Sequence, residues 1–546
     1  MTSEFPANMP DAENIDIRGI AVKLFEQAAA AANTGQAVPS AQQLPLPTPF
    51  PRMPQISSLP SPPSFPSLPA LPQAAKVPPF PPVPDYARVN YNSFPHLETR
   101  LQPNALQQLM NQPGLSSHGL EAVAQAFQRV GMAARIQPPG PGVFDVEQIR
   151  RDFPVLHQNI HGKPLVWLDN AATTQKPQTV IDSISNFYRR DNSNIHRGAH
   201  ALAARATDAW ENARQSVQEF LGAAAASEII FLRGTTEAIN LVAQTIGRCF
   251  LRPGDEILLT VLEHHANIVP WQMAAKETGA VIKVVPVNDR GEILLEAYES
   301  LLSPKTKLVS LTHASNSLGT ILPVEQMTAA AKRYNAMVLI DGAQTVSHMP
   351  VNVQTIGCDF FVFSGHKLFA PTGIGALYAK QDIQQVMPPW QGGGNMIRTV
   401  TFEETTYSDP PAKFEAGTPS VADAVGLHAA IQYITAIGWP AITRHEHELL
   451  EYGTARLQEI PGLRLIGQAR QKVGVLSFVI PGKSVEEIGK YLDQEGIAVR
   501  AGHHCAQPSL RRFGLDATVR PSLAFYNTTH DLDRLADALH RLTTNH

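Results

Sequence analysis

The sequence predicts an α/β protein: a large, doubly wound, mostly parallel sheet, then a smaller α+β C-terminal domain, with a disordered proline-rich arm in front. Three observations carry this prediction. Apolar strand-like runs alternate with helical patterns from about residue 143, which is typical of βαβ units. Past about Pro419 the pattern changes to longer helices with a few short strands. Residues 1–143 hold 25 of the 45 prolines.

The arm is assigned to residues 1–142. Its prolines are densest from 39 to 84, a stretch with 17 prolines and only two charged residues, Arg52 and Lys76. Fixed φ angles and missing backbone donors favour an extended, semi-stiff tether over a packed core. Two islands, 11–33 and 97–136, carry short helical patterns. They are either transient helices in a disordered tail or short recognition elements that fold onto a partner.

The large domain is assigned to residues 165–419 and the small domain to 143–164 together with 420–546. Strands are predicted in the large domain at Glu228–Leu232, Glu256–Val261, Val281–Val287, Lys307–Leu311, Met337–Ile340 and Asp359–Phe363. In the small domain they are predicted at Val473–Ile480 and Ile497–Arg500.

Composition excludes several classes of protein. A net charge of −4 gives no basic face for a nucleic-acid partner. The three cysteines, Cys249, Cys358 and Cys505, form neither a disulfide framework nor a Cys-x-x-Cys metal motif. The N-terminus fits no targeting peptide, and no apolar run approaches the ~18 residues that would span a bilayer. We therefore expect a soluble, cytoplasmic protein with no metal, nucleic-acid or membrane partner.

Ligands of open α/β sheets bind at the carboxyl ends of the strands. The segment 233–237, Arg-Gly-Thr-Thr-Glu, follows a strand and opens a helix. Its glycine turn and two hydroxyls, in Thr235 and Thr236, indicate an anion site at a helix N-terminus. Ordinary N-capping by threonine is the alternative.

A carboxylate and a lysine end two later strands. Asp341 follows Met337–Ile340, and Lys367 stands in the turn after Asp359–Phe363, before the glycine-rich 371–375. This arrangement suits pyridoxal phosphate, whose Schiff base needs a lysine, whose ring nitrogen needs a carboxylate, and whose phosphate needs hydroxyl and imidazole donors. An exposed turn lysine with an unrelated aspartate is the alternative. His264, after the strand Glu256–Val261, is placed to lie over a cofactor ring.

At these residues the sequence resembles the class V aminotransferase-like, fold-type I pyridoxal enzymes, and among them the SUF-type (group II) cysteine desulfurases. The resemblance runs from about residue 143 to the end. The motifs that carry it are 168–172, 196–200, 233–237, 263–267, 341–344, 364–367, 414–419 and 500–508.

The resemblance implies a role for each matching residue. Lys367 matches the Schiff-base lysine, Cys505 the nucleophile, and His264 the stacked, proton-transferring histidine. The other cofactor ligands would be Asp341 at the ring nitrogen, Gln344 at the ring hydroxyl, and Thr235, Thr236, Ser364 and His366 at the phosphate, with Thr418 reaching in from the second subunit of a homodimer. The substrate would be held by Asn316, Arg520, Arg500 and His196.

The implied reaction converts L-cysteine to L-alanine and leaves the sulfur as a persulfide on Cys505. His503 and His504, just before it, are expected to favour the thiolate. The short cysteine loop resembles group II, which implies a sulfur-acceptor protein. The alternatives on the same scaffold are selenocysteine lyase and cysteine sulfinate desulfinase, which need Lys367 but not the thiol, and a class V transaminase, which would leave Cys505 without a purpose. Cys249 and Cys358 are expected to be structural.

The arm also has a resemblance. In architecture and composition, residues 1–142 are similar to the cargo-loading extensions of cysteine desulfurases packaged in family 2 encapsulin shells. This implies an encapsulin shell protein as a partner and a location inside a nanocompartment. The alternative is an arm that tethers the enzyme to another sulfur-handling protein.

Overall fold

The computed structural model of the chain describes residues 144–196 and 199–544. The expectations for the arm, residues 1–142, lie outside these residues. The strands are β1 Asn159–Ile160, β2 Lys163–Pro164, β3 Val166–Trp167, β4 Ile229–Leu232, β5 Glu256–Thr260, β6 Val281–Val285, β7 Thr306–Thr312, β8 Met337–Asp341, β9 Phe360–Ser364, β10 Gly375–Ala379, β11 Ile397–Val400, β12 Thr405–Tyr407, β13 Arg464–Leu465, β14 Phe478–Val479, β15 Ile497–Ala498, β16 Arg500–Gly502 and β17 Thr518–Arg520.

Fifteen α-helices are found among the described residues. They are α1 Val146–Arg151, α2 Gln178–Arg190, α3 Ala201–Leu221, α4 Thr235–Val242, α5 Arg248–Phe250, α6 Val269–Thr278, α7 Leu295–Leu301, α8 Val324–Lys332, α9 Val353–Ile356, α10 Gln381–Val386, α11 Val421–Ile437, α12 Trp439–Gln458, α13 Val485–Gln494, α14 Gln507–Arg511 and α15 Thr529–Thr544.

Seven strands form the main sheet, in the order β4-β10-β9-β8-β7-β5-β6. The neighbours from β9 to β6 run parallel. The inner strands β8 and β9 are buried on both faces under apolar helices, so they are hydrophobic runs with no alternation, whereas the edge strand β6 is partly exposed. All six strands expected in this region are present, and their bounds differ from the expected ones by at most two residues.

Strand β10 was not predicted. The glycine-rich segment 371–375 suggested only a turn, but its last residue, Gly375, begins a strand antiparallel to both β4 and β9. A Cβ at Gly375 would lie 2.6 Å from the Cα of Gly234 and 2.5 Å from the carbonyl oxygen of Phe363. This glycine therefore allows the backbones of two strand-end turns to pass at close range.

Helix α11 packs against α2 and α3 on the main sheet, and its buried residues, such as Leu427 and Ile434, belong to the same apolar cluster as Trp210. Phe153, from the segment before the sheet, belongs to that cluster too. The expected bounds put both α11 and Phe153 in the small domain, although both pack in the cluster that covers the main sheet. The domain assignment stays a prediction. The periodicity of a helix shows that it has an apolar face, but not which of the two hydrophobic cores that face packs against.

The C-terminal part has its own four-stranded antiparallel sheet, in the order β13-β14-β17-β16. Strand β3 pairs in parallel with β15, and Val166 and Leu168 are buried in the C-terminal core. Residues 165–168, expected in the large domain, thus pack with the small one. The long predicted strand Val473–Ile480 is reduced to β14. Among the described residues, no single helix is long and apolar enough to cross a membrane, and the one helix pair that passes such a test, α11 with α12, is bent by 80°.

Candidate active site

A cavity of about 400 Å³ opens at the carboxyl ends of the parallel strands, where the main sheet meets β16 and β17. Twelve of the fourteen residues expected in the site line this cavity: Thr235, Thr236, His264, Asn316, Asp341, Gln344, Ser364, His366, Lys367, Arg500, Cys505 and Arg520. The other two lie elsewhere within one chain. His196 is exposed with φ 64°, and Thr418 lines a separate cavity of about 450 Å³.

Lys367 and Asp341 meet inside the cavity because their strands, β9 and β8, are parallel neighbours. Burial lowers the pKa of Lys367 to about 8, although the negative charge of Asp341 opposes this shift. Burial raises the pKa of Asp341, against the hydrogen bond from the Ala343 amide and the charge of Lys367. A neutral lysine is therefore readily reached near physiological pH.

The backbone just before Lys367 is held by the loop that contains Thr173 and Thr174. The carbonyl oxygen of His366 accepts hydrogen bonds from Thr173 Oγ1 at 3.0 Å and from the Thr174 amide at 3.0 Å. Lys176 Nζ donates to the same oxygen at 3.3 Å. The sequence singled out neighbouring 168–172 but missed these three residues, because hydroxyls in a loop carry no sign of their distant partner.

An anion cradle forms at the start of α4, where the N-cap residue, Gly234, has no side chain of its own to cap the helix. Ser364 Oγ accepts a hydrogen bond from the Thr235 amide and donates one to Thr235 Oγ1, both at 2.9 Å. A Cβ at Gly234 would lie 2.9 Å from that same Ser364 Oγ, so the glycine keeps the cradle open. Burial lowers the pKa of His366 to about 4. The cradle thus offers a helix dipole, hydroxyls and a neutral imidazole.

His264 stands at the N-cap of a short turn that lines the cavity. Its Nδ1 accepts a hydrogen bond from the Ala266 amide at 3.0 Å. Burial, together with the charge of Lys367, lowers the pKa of His264 to about 3. The ring is therefore neutral, and with Nδ1 acting as an acceptor its proton lies on Nε2.

Two arginines at one end of the cavity share one carboxylate. Asp169 accepts from Arg500 Nη2 at 2.9 Å and from Arg520 Nη2 at 3.2 Å. Arg520 Nη1 donates to the carbonyl oxygen of Asn316 at 2.9 Å, while its buried Nε has no partner among the described residues. Burial lowers the pKa of Arg520 to about 10. This end of the cavity therefore suits a substrate carboxylate.

The sequence quoted Asp169 within a motif but assigned it no role. Its position two residues after β3, near a strand end, is the signal that could have found it. Gln344 was expected to donate to the ring hydroxyl of the cofactor. Its Nε2 already donates one hydrogen bond, to the Ala171 carbonyl oxygen at 2.8 Å. The second hydrogen on that nitrogen is what Gln344 can offer to a ligand.

Cys505 is exposed on a short loop between β16 and α14. His504 and Cys505 are both left-handed, with φ 53° and 52°, a backbone conformation that costs energy for non-glycine residues. Hydrogen bonds from outside the loop hold it: Asn316 Nδ2 to the His504 carbonyl at 2.7 Å, and the His265 amide to the Cys505 carbonyl at 2.8 Å.

The expectation that His504 favours the Cys505 thiolate is wrong. Its Nε2 lies 2.8 Å from Thr518 Oγ1, and burial lowers its pKa to about 3. A neutral imidazole committed to Thr518 supplies no positive charge. Of the other cysteines, Cys358 is buried, and burial raises its pKa to about 12. Cys249 is exposed, which differs from the expectation that it is a structural thiol.

The side chains present suit pyridoxal phosphate. The cavity combines a buried amine, a buried carboxylate, a neutral imidazole and a helix N-terminus with an adjacent serine hydroxyl. Lys367, Asp341 and His264 would hold the ring, and the cradle of Thr235, Thr236 and Ser364 would hold the phosphate. No group of three or more metal-ligating side chains is placed to hold a metal ion in the described part of the chain.

Comparison with known proteins gives consistent matches. Residues 166–535 match the model of the family described as aminotransferase class V. A cysteine desulfurase of Synechococcus elongatus is 61% identical over 401 residues, 73% of this chain and 64% of that protein. A cysteine desulfurase of Dickeya dadantii is 48% identical over 400 residues, 73% of this chain and 97% of that protein.

Solved structures show the same fold. A cysteine desulfurase from Escherichia coli superposes with a TM-score of 0.68 at 38% identity, and one from Thermococcus onnurineus NA1 with 0.70 at 36%. Each match covers 73% of this chain and 98% of the other. The expected α/β fold with a mostly parallel sheet is thereby confirmed. The chain spans 64%, 58% and 66% of the length of the first three curated relatives.

Proposed function

The chain belongs to the class V aminotransferase family, and on that premise we propose that it is a pyridoxal-phosphate-dependent cysteine desulfurase. One observation carries the proposal: an exposed thiol, Cys505, lines the same cavity as a buried amine of lowered pKa, Lys367. Transamination requires the amine but gives the thiol no task.

Each residue then has a defined task. Arg520 and Arg500 bind the carboxylate of L-cysteine, and their hydrogen bonds to Asp169 orient them. Pyridoxal phosphate, when bound, withdraws electrons from the substrate's α-carbon. Lys367, close to half neutral near pH 8, accepts the α-proton and returns it.

Cys505 performs the sulfur transfer as a thiolate. Its Sγ attacks the sulfur atom of the bound cysteine, so that an S–S bond forms while the substrate's C–S bond breaks. The electron pair of the C–S bond passes to the carbon skeleton, which takes up a proton and leaves as L-alanine. The sulfur stays on Cys505 as a persulfide until a thiol acceptor reduces or receives it.

Replacing Cys505 by Ala tests the reaction. Alanine formation from L-cysteine should fall by on the order of a thousandfold, while the absorption spectrum of the bound cofactor stays unchanged. Cys249→Ala, at the other exposed cysteine, is the matched control. If Cys505→Ala retains full turnover of cysteine, the persulfide route is wrong. Cys505→Ala should still turn over selenocysteine, because that reaction does not need the thiol. An unmodified protein that turns over selenocysteine or cysteine sulfinate but not L-cysteine would identify the alternative reactions of this scaffold.

The finer assignment is a homodimeric, SUF-type enzyme that delivers sulfur to an acceptor protein. The short, externally held loop of Cys505 supports it, and so does the place of Thr418 outside the cavity of its own chain. A size measurement by light scattering and turnover with and without added thiol test both parts. A monomer, or full turnover with L-cysteine alone, would contradict them.

The arm, residues 1–142, is proposed to load this cytoplasmic enzyme into an encapsulin shell. Its proline-rich tether with two short helical patterns supports the idea. Residues 1–142 fused to a fluorescent protein would be expressed in the native host and sedimented. Recovery in large particles of one shell protein supports loading. Recovery with another sulfur-handling protein supports the tether instead, and recovery as free monomer contradicts both.

A further inference from the structure

Glu263 is a fully buried carboxyl group directly before His264, at the end of β5. It lies beneath the cavity but is not among the residues that line it. No lysine, arginine or histidine of the described residues forms a salt bridge with Glu263. A buried carboxyl without a cation is costly, and such groups need strong hydrogen bonds.

Both oxygens of Glu263 accept hydrogen bonds. Thr260 Oγ1 donates to Oε1 at 2.6 Å, and Asn267 Nδ2 donates to Oε2 at 2.7 Å. Burial raises the pKa of Glu263 to about 7, although these two bonds favour the carboxylate. The negative charge of Asp341 adds to the upward shift.

The direction of the bond to Asn267 is fixed by further contacts. Asn267 Oδ1 accepts from Trp271 Nε1 at 2.9 Å and from Ser310 Oγ at 2.6 Å. Because an indole nitrogen only donates, the oxygen of Asn267 must face Trp271 and its amine must face Glu263. Thr260 Oγ1 accepts from the Leu262 amide at 3.1 Å and donates to Glu263. Glutamate accepts from both partners, whereas glutamine can accept from only one of them, so that the bond to the other must reverse or break.

The bond between Glu263 and Asn267 closes the turn that carries two functional groups. Within this turn, His264 presents its neutral ring to the cavity and accepts from the Ala266 amide. The next residue, His265, donates its amide to the carbonyl oxygen of Cys505 at 2.8 Å. Through these hydrogen bonds, Glu263 connects the main sheet to the turn that holds the His264 ring and to the loop of Cys505.

We propose that Glu263 is a positioning residue whose acceptor-only contacts with Thr260 and Asn267 fix the turn 263–267, and through it the His264 ring and the Cys505 loop. Its consequence for catalysis rests on the proposed function. Its consequence for the loop does not, because the hydrogen bond from His265 to Cys505 joins two segments of the protein itself.

The test uses the full chain and exchanges the hydrogen-bond acceptor at position 263 with the donor at position 267. Glu263→Gln removes the charge and leaves an acceptor for only one of the two partners, so that the bond to Asn267 breaks or the bond to Thr260 must reverse. Glu263→Gln combined with Asn267→Asp restores the pair, because the amide introduced at position 263 can donate to a carboxylate at position 267 that still accepts from Trp271 and Ser310. Glu228→Gln is the matched control, since Glu228 is buried, accepts only backbone amides, and lies at the opposite end of β4 from the cavity.

Two readouts are compared. The first is the rate at which iodoacetamide alkylates Cys505 in the cofactor-free protein, with exposed Cys249 in the same sample as the reference. The second is the dissociation constant for pyridoxal phosphate. Glu263→Gln should change each by roughly tenfold, the scale of one lost hydrogen bond to a charged group. The exchanged pair should return both toward the values of the unmodified protein, and the control should leave both unchanged.

Unchanged values for Glu263→Gln would overturn the proposal. The proposal would also be overturned if the doubly substituted protein showed the same alkylation rate and dissociation constant as Glu263→Gln or Asn267→Asp alone. The same holds if the single variants fail to fold and the double variant fails as well. If the unmodified protein binds no pyridoxal phosphate, the proposed function fails, while the alkylation rates still decide the role of Glu263.

Discussion

The side-chain amide of Asn316 donates a hydrogen bond to the backbone carbonyl of His504, with the two atoms 2.7 Å apart. The bond crosses from the loop after β7 to the loop that presents Cys505. It helps to hold two consecutive left-handed residues that a free loop would not keep. The large domain therefore helps to position the nucleophile, in addition to the bond within the loop from the Cys505 amide to His503 Nδ1.

Asn316→Ala should release this loop. We expect turnover of L-cysteine to fall about tenfold or more, the cost of one buried hydrogen bond, and alkylation of Cys505 in the cofactor-free protein to become faster. Steady-state kinetics and peptide mass spectrometry measure the two effects. Asn352→Ala, which removes a helix cap remote from the cavity, is the control. An unaltered alkylation rate would show that the loop does not need Asn316.

Asp169→Asn should weaken substrate binding. Asp169 accepts from both Arg500 and Arg520, and an amide in its place removes the charge that orients them. We expect the KM for L-cysteine to rise roughly tenfold, with a smaller change in kcat. Asp289→Asn, at the exposed pair with Arg512, is the matched control. Equal KM values for the two variants would remove Asp169 from the substrate site.

Loading of pyridoxal phosphate should follow the titration of Lys367. Only the neutral amine reacts, and burial lowers the pKa of Lys367 to about 8 from its ordinary 10.5. The rate of cofactor binding to the apo protein should therefore rise with pH and level off above about pH 8. In Asp341→Asn, which loses the opposing negative charge, the midpoint should move to lower pH. A midpoint near that of free lysine would contradict the burial argument.

His504 should make folding sensitive to acid. Its pKa is lowered to about 3 in the folded chain, mainly by burial, from an ordinary 6.5. The unfolded chain therefore binds the extra proton, and the contribution of His504 to stability is complete above pH 6.5 and is lost as the pH falls toward 3. Glutamine does not titrate. When the pH is lowered from 6.5 to about 4.5, the free energy of unfolding of His504→Gln should therefore fall by about 2–3 kcal/mol less than that of the unmodified protein.

Denaturant unfolding at several pH values checks this prediction. Glutamine can still hydrogen-bond Thr518, so the variant should fold. The exposed His540→Gln is the control. Parallel pH profiles for the unmodified protein and His504→Gln would show that the imidazole is not buried neutral.

Local pattern was enough to predict the architecture of the main sheet. Strands such as β8 and β9 are buried on both faces and are short apolar runs in the sequence, which distinguishes them from the helices between them. Lys367 and Asp341 could be paired from sequence because the carboxyl ends of parallel strands share one edge. Strand β10 was missed because its first residue, Gly375, serves a close backbone approach that only the fold reveals.

The sequence by itself determined the fold class and the strand-end positions of Asp341 and Lys367, because these follow from local pattern. The other residues expected in the cavity and the thiol nucleophile came from the resemblance to a known family. The tertiary structure alone decided how the side chains are held. Asp169 and Arg520 are 351 residues apart, and Glu263 acquires its meaning from the donors that face it. His504 turns to Thr518 and not to the thiol. Hydrogen-bond direction depends on partners brought together by folding, and no local pattern encodes them.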